Sequence, residues 1–206
     1  MKISTSILNM IKKTDNLRKL EDTNTDYIHL DIMDGKFVTN INELYDFIKE
    51  NEPISKPLDV HLMVEDVAFY INKYSDLNPE YITIHYEIDK NIDDVIKLIQ
   101  SKNCKVGLSI KPNTSISEVI PYLSKIDLLL IMSVEPGYGG QSYIDISDKL
   151  KQARALQKDY QFIIEVDGGI NDTNISSINT DIAVVGSFIT SSDDYQAQLN
   201  KLKENI

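Results

Sequence analysis

Two stretches of this chain, residues 27–33 and 58–63, each set a histidine two positions from an aspartate and end on methionine. In extended backbone, side chains alternate between faces, so His29, Asp31 and Met33 share one face, as do Asp59, His61 and Met63. The opposite faces, Ile28/Leu30/Ile32 and Leu58/Val60/Leu62, are purely aliphatic. A strand that is oily on one side and carries imidazole, carboxylate and thioether on the other is costly unless the polar groups bind something. The chemistry these residue types suit is metal-assisted catalysis.

The same parity recurs elsewhere, in Ser4/Ser6, Thr83/His85 and Glu165/Asp167. Leaving that many polar groups uncompensated would exceed the roughly 5–15 kcal/mol net stability of a domain. Two neutral imidazoles with two carboxylates suit Zn²⁺ best, with Fe²⁺, Mn²⁺ or Co²⁺ also compatible. Four protein donors is the usual pattern of a closed structural zinc site, so catalysis would require the ion to expand its coordination. A second signal is glycine. Gly137, Gly139 and Gly140 flank Tyr138 in one loop, Gly168 and Gly169 follow Asp167, and Gly186 precedes Ser187. Such loops let backbone N–H groups approach and bind an anion, and phosphate is the expected one. No lysine or arginine lies in these segments, so backbone amides would carry that contact.

The elements that must position these groups follow from hydrophobic periodicity. Strands are expected at 3–8, 27–32, 58–63, 81–85, 105–110, 128–132, 162–166 and 182–185. Helices are expected at 41–51, 92–100, 148–158, 173–178 and 195–203, with shorter ones near 14–21, 68–72 and 117–123. Eight strand–helix alternations indicate an α/β fold with a parallel sheet, and eight is the count of a (β/α)8 TIM barrel. A doubly wound sheet would place a glycine fingerprint after the first strand, where Asn9-Met10-Ile11-Lys12 stands instead. Six of the eight glycines follow the last three strands, the edge where such barrels hold phosphate. One catalytic domain over 1–206 is expected, with Asp31, Met63, His85 and Asp167 at strand C-termini.

The chain has 206 residues, 42% hydrophobic and 26% charged, the composition of a globular protein. Its net charge of −11 argues against nucleic acid or an anionic membrane as partner. The single cysteine, Cys104, excludes an intrachain disulfide and reads as a small core residue, and a cytoplasmic location is expected. No signal-peptide core or membrane-spanning run is apparent.

The segments Ser-Ile-Leu (6–8), His-Leu-Asp-Ile-Met-Asp-Gly (29–35), Leu-Asp-Val-His-Leu-Met (58–63) and Met-Ser-Val-Glu-Pro-Gly-Tyr-Gly-Gly-Gln (132–141) resemble the ribulose-phosphate 3-epimerase family. Glu-Val-Asp-Gly-Gly-Ile (165–170) and Val-Gly-Ser (185–187) complete the resemblance, which runs nearly end to end. It implies a (β/α)8 barrel interconverting D-ribulose 5-phosphate and D-xylulose 5-phosphate in the pentose phosphate pathway. It further implies His29, Asp31, His61 and Asp167 as ligands of one divalent metal ion per subunit. Asp31 and Asp167 would double as the acid and base at C3, through an enediolate that the metal stabilises. Ser6, His29 and His61 would contact the sugar, and Met33, Met63 and Met132 would line the reacting carbon. Gly137, Tyr138, Gly139, Gly140, Gly168, Gly169, Gly186 and Ser187 would hold the phosphate end, and self-association into a homo-oligomer is expected. The chain departs from the usual pattern at Lys36, where histidine is common, at Thr39, where proline is common, and in a shortened segment after Asn40. Competing readings are an epimerase of a hexulose phosphate such as D-allulose 6-phosphate, and a catalytically silent barrel that binds a phosphosugar. A third, a metal-free isomerase or decarboxylase, would draw on Glu165.

Overall fold

The computed structural model describes residues 1–206. Its strands are β1 (Lys2–Ser6), β2 (Tyr27–Asp34), β3 (Ile41–Asn42), β4 (Leu58–Met63), β5 (Tyr81–His85), β6 (Lys105–Ile110), β7 (Leu128–Met132), β8 (Ile163–Asp167) and β9 (Ile182–Val185). All but β3 run parallel, and β1 pairs with both β2 and β9, which closes the sheet into an eight-stranded barrel. The connecting helices are α1 (Thr14–Glu21), α2 (Tyr45–Glu50), α3 (Val67–Tyr74), α4 (Ile92–Ser101), α5 (Ile116–Val119), α6 (Ser147–Leu156), α7 (Ser187–Thr190) and α8 (Tyr195–Lys203).

Strand alternation divides the apolar residues into two cores. Outward aliphatics such as Ile28, Leu30, Ile32, Val60 and Leu62 pack under the helices in a cluster of 50 buried residues that includes Cys104. Inside the barrel a smaller cluster of seven runs from Tyr27, Tyr81, Leu128 and Ile182, which fill the base, through Leu130 to Met132 and Val134 at the mouth. There the rings of Tyr27 and Tyr81 meet edge to face at 6.0 Å, with Lys2 and Lys105 lying over them. The base is therefore plugged, and the polar residues of the same parity are left to the upper interior.

A repeated device aligns neighbouring strands. Asp26, Asp127 and Asp181 immediately precede β2, β7 and β9, and each accepts the first free amide of an adjacent strand. The donors are the N–H groups of Ile3, Val106 and Ile164, at 2.9, 2.8 and 2.7 Å. A one-residue slip would turn every inward side chain out, so these contacts protect the site as well as the ladder.

Four sequence expectations need correction. β2 continues to Asp34, so Asp31 sits inside the strand, level with His61, rather than at its C-terminus. The expected helix 41–51 begins only at Tyr45. Its first residues form β3 antiparallel to β2, where the Asn42 side chain donates to the Asp31 carbonyl at 2.5 Å. The expected helix 173–178 is a 3₁₀ turn at Ile175–Ser177, because the Asn174 side chain bonds back to Asn171 N–H and Gly169 C=O and holds the chain in a turn. Around Pro121, the helix near 117–123 is α5 followed by a 3₁₀ segment.

The start of α2 has no capping side chain of its own. Instead the buried Tyr74 hydroxyl, from α3, accepts the N–H groups of Leu44 and Tyr45, each at 3.0 Å. Tyr74→Phe leaves both amides without a partner in an apolar setting and should lower unfolding stability by about 1–3 kcal/mol in urea titration. An unchanged midpoint would show that the cap contributes nothing.

Candidate active site

The upper barrel mouth holds a cleft of about 430 Å³, with Asp31 and Asp167 in its lining. Met33, Met63 and Met132 stand around them; Met33 pairs with Met63 and Met132 with Asp167 in the strand register. The cleft is also lined by Ser6, Gly137, Tyr138, Gly139, Gly140, Gly168, Gly169, Gly186 and Ser187. His29 and His61 are fully buried beneath this floor and are not part of its lining.

His29, Asp31, His61 and Asp167 converge from β2, β4 and β8, with one ligand-type atom of each lying within 4.8 Å of all the others. His29 Nε2 is 3.3 Å from Asp31 Oδ1, and His61 Nδ1 is 3.4 Å from the same oxygen and 4.0 Å from Asp167 Oδ2. Donors about 2.0–2.1 Å from a tetrahedral ion sit about 3.3–3.4 Å from one another, so two of these edges already match. Neither His29 Nε2 nor His61 Nδ1 has a hydrogen-bond partner, although both are buried. Two orphaned imidazole nitrogens facing two carboxylates is a donor set that fits a borderline divalent cation.

Each imidazole is held from behind, differently. His29 Nδ1 donates to Asp59 Oδ2 at 2.7 Å, which also accepts from Ser4 Oγ at 2.8 Å. His61 Nε2 lies 2.9 Å from His85 Nε2, and His85 Nδ1 lies 3.0 Å from Glu87 Oε2. Asp59 and His85 stand out along the chain by parity alone, whereas Glu87 does not. The readable signal was the continuation of that parity past the strand end, His85-Tyr86-Glu87. Glu165 is wholly buried beside Asp59 and His29.

Electrostatics separates the carboxyl groups. Burial pushes Asp167 up, reinforced by the Asp31 charge, to about 7. Burial also acts on Asp31, but the His29 charge and the close approach of both imidazoles outweigh it and hold Asp31 well below the usual range. Burial raises Glu165 strongly, with the Asp59 charge adding to it, so Glu165 is a neutral acid at pH 7. His85 is lowered to about 4 by burial, and Glu87 is brought down to about 2 because bonds from His85, Lys111 N–H and Thr114 overcome its own burial.

The glycine loops have little room for side chains. A Cβ on Gly169, where φ is +61°, would stand 2.4 Å from Tyr143 N and 2.8 Å from Gln141 O. One on Gly168, where φ is +124°, would stand 2.6 Å from Val134 Cγ2. The N–H groups of Gly169 and Gly186 donate to no protein acceptor, which leaves them available to a bound anion. No lysine or arginine lines the cleft. Over its rim the loop after β2 meets the Gly137 loop: Thr39 Oγ1 is 2.7 Å from the Tyr138 hydroxyl, and Asn40 Nδ2 donates to Gly137 C=O at 3.0 Å. Lys36 remains exposed, 3.9 Å from Glu65.

Against known proteins, residues 2–190 match the Ribulose-phosphate 3 epimerase family. The chain belongs to this family. It is 37% identical over 189 residues to the ribulose-phosphate 3-epimerase of Helicobacter pylori strain J99, covering 88% of this chain and 87% of that one. It is 34% identical over 189 residues to the Escherichia coli K12 enzyme of the same name, covering 88% and 84%. Among solved structures, KGPDC from Streptococcus mutans superposes with TM-score 0.71 at 12% identity, over 99% of this chain and 96% of that one. The 3-hexulose-6-phosphate synthase of Salmonella typhimurium gives 0.66 at 17%, over 100% and 98%. At such identities these two matches speak to the barrel alone.

A cation entering the quartet competes with protons. Asp167 holds its proton up to about pH 7, and against its burial the charges of Asp59 and Asp31 keep His29 protonated well above the usual imidazole range, so ion uptake must displace a proton from each. Apparent Zn²⁺ affinity should therefore rise with pH, roughly tenfold per pH unit for each proton displaced, and less steeply once Asp167 is ionised above about pH 7. Chelator-competition titrations between pH 6 and 8 check this; a flat profile would contradict it.

Proposed function

We propose that this chain interconverts D-ribulose 5-phosphate and D-xylulose 5-phosphate by moving the C3 proton between Asp31 and Asp167. The observation that carries the reading is the opposed displacement of these two carboxyl groups at one cleft floor. Asp31 is held ionised and Asp167 keeps its proton to about pH 7. Inverting a carbon beside a carbonyl requires a base on one face and an acid on the other, each in the right protonation state at the start.

Asp31, held in place by a 2.7 Å hydrogen bond from Ser6, takes the C3 proton. Asp167 delivers its own proton to the opposite face, and the two exchange roles in the reverse direction. His29 and His61, with both aspartates, would hold a divalent cation, Zn²⁺ fitting the nitrogen–oxygen donor set best. Such an ion supplies Lewis-acid stabilisation of negative charge developing on the substrate's oxygens. That charge needs compensation here, because the cleft lining contains Asp31, Glu135 and Asp167 and no basic side chain. The three methionines exclude water from C3 and offer polarisable contact to the flat, anionic enediolate. The amides of Gly169, Gly186 and the adjoining Ser187 are suited to hold the phosphate and so fix C3 between the aspartates.

Asp31→Asn and Asp167→Asn should each reduce epimerisation about 10²–10⁴-fold. The two should differ in proton NMR of D-ribulose 5-phosphate in D₂O. With Asp167→Asn, Asp31 still removes and returns the C3 proton on one face, so deuterium enters the starting sugar without epimer forming. With Asp31→Asn that exchange is lost. Near wild-type turnover in either variant would refute the two-carboxylate mechanism. Absence of any C3 exchange in the metal-loaded wild type would favour a silent phosphosugar-binding barrel.

A further inference from the structure

We propose that Glu87, acting through His85, sets the tautomer of His61 and so turns His61 Nδ1 into a lone pair aimed at the quartet. Glu87 and His85 are positioning residues, since neither lines the cleft. The proposal rests on the reading above only in taking the quartet as a cation site. Its tests read proton positions and Zn²⁺ affinity rather than turnover.

One hydrogen-bonded line runs from His61 to Glu87, and its protons can be counted. His61 Nε2 and His85 Nε2 are 2.9 Å apart in a fully buried setting, so one proton lies between them. In the first arrangement that proton belongs to His61 Nε2. Its Nδ1 is then bare and faces Asp31 and Asp167, with no hydrogen-bond partner of its own. His85, accepting at Nε2, carries its proton on Nδ1 and donates to Glu87 Oε2 at 3.0 Å. In the second arrangement the proton belongs to His85 Nε2. His61 would then carry a proton on Nδ1, blocking it as a ligand, and the bare His85 Nδ1 would face a carboxylate oxygen. In the first arrangement the bare His61 Nδ1 faces Asp31 Oδ1 at 3.4 Å and Asp167 Oδ2 at 4.0 Å, neither in hydrogen-bond alignment. The second sets two acceptors in line at 3.0 Å, so the closer Glu87 carboxylate selects the first.

Glu87 is itself fixed. Its Oε1 accepts from Lys111 N–H at 2.8 Å and from Thr114 Oγ1 at 2.5 Å, which leaves Oε2 to His85. Phe37 covers the His85 ring at a centroid distance of 4.9 Å, and Lys111 Nζ lies 4.5 Å from the Phe37 ring centre. The line thus runs from the loop after β6, through Glu87 and His85 at the end of β5, to His61 in β4. His29 is oriented by a shorter route, donating directly from Nδ1 to Asp59. Partners of this kind orient ligating imidazoles in metal sites generally.

Glu87→Gln is the sharp variant. The Lys111 amide can only donate, so the new side chain must keep its oxygen there and turn its NH₂ toward His85 Nδ1. That forces His85 to accept at Nδ1, donate at Nε2 and push the His61 proton onto Nδ1. In ¹⁵N-histidine NMR of the metal-free protein, His61 should be the Nε2–H tautomer in the wild type and the Nδ1–H tautomer in Glu87→Gln. Zn²⁺ affinity by chelator competition should fall about 10–100-fold. His85→Gln, which can still offer an oxygen to His61 Nε2–H, should stay within a few-fold of wild type. Finding His61 protonated at Nδ1 in the wild type would overturn the proposal whatever the variants do. So would Glu87→Gln with unchanged tautomer and affinity, or His85→Gln that folds yet loses as much affinity as Glu87→Gln.

Discussion

Negative charge buried without a basic side chain beside it is the constraint on which this barrel turns. Asp31, Asp59 and Glu165 are almost wholly removed from water, and Asp167 nearly so, yet within 4.0 Å the ion-pair partners of the three aspartates are histidines alone. A carboxylate in such surroundings must keep a proton, find a cation or collect hydrogen-bond donors, and the four groups divide these solutions between them. Glu165 is pushed toward its neutral form, Asp59 collects Ser4 and His29, Asp31 collects Ser6 beside the His29 charge, and Asp167 is pushed up to about 7. A divalent cation among the last two and the histidines would relieve the remaining imbalance.

The scaffold tolerates this interior because its apolar duties are carried elsewhere. The outward faces of the strands bury their aliphatics under the helices, and the inward aromatic and aliphatic plug around Tyr27, Tyr81 and Leu128 seals the base. The polar layer above can then be spent on chemistry, with the aspartates before β2, β7 and β9 keeping the register that points it inward. Met33 and Met63 stand one inward layer above Asp31 and His61, while Met132 is level with Asp167, and all three line the cleft.

Much of the site was legible along the chain because strand parity is a local property. His29, Asp31, Asp59 and His61 declare a shared face through two-residue spacing, and their aliphatic neighbours declare the other. Asp167 and the glycines after it were legible for a similar reason, since turn chemistry is written in adjacent residues. The errors fell where side chains compete with local propensity: Asn42 holds a short strand and Asn174 a turn where periodicity alone suggests helix. Depth was misjudged too, because the level of Asp31 in the barrel depends on the stagger between β2 and β4 rather than on distance from its own strand end.

The amino-acid pattern by itself determined the barrel class, the inward polar parity and the residues able to bind a cation, since each follows from alternation and composition within short windows. Only the tertiary structure decided that His29 and His61 lie beneath the cleft floor, that Asp31 and Asp167 are driven to opposite protonation states, and that His61 is backed by His85 and Glu87. Those outcomes depend on which strand lies beside which and at what stagger. Burial and the field of neighbouring charges arise only when residues distant in the chain are brought together.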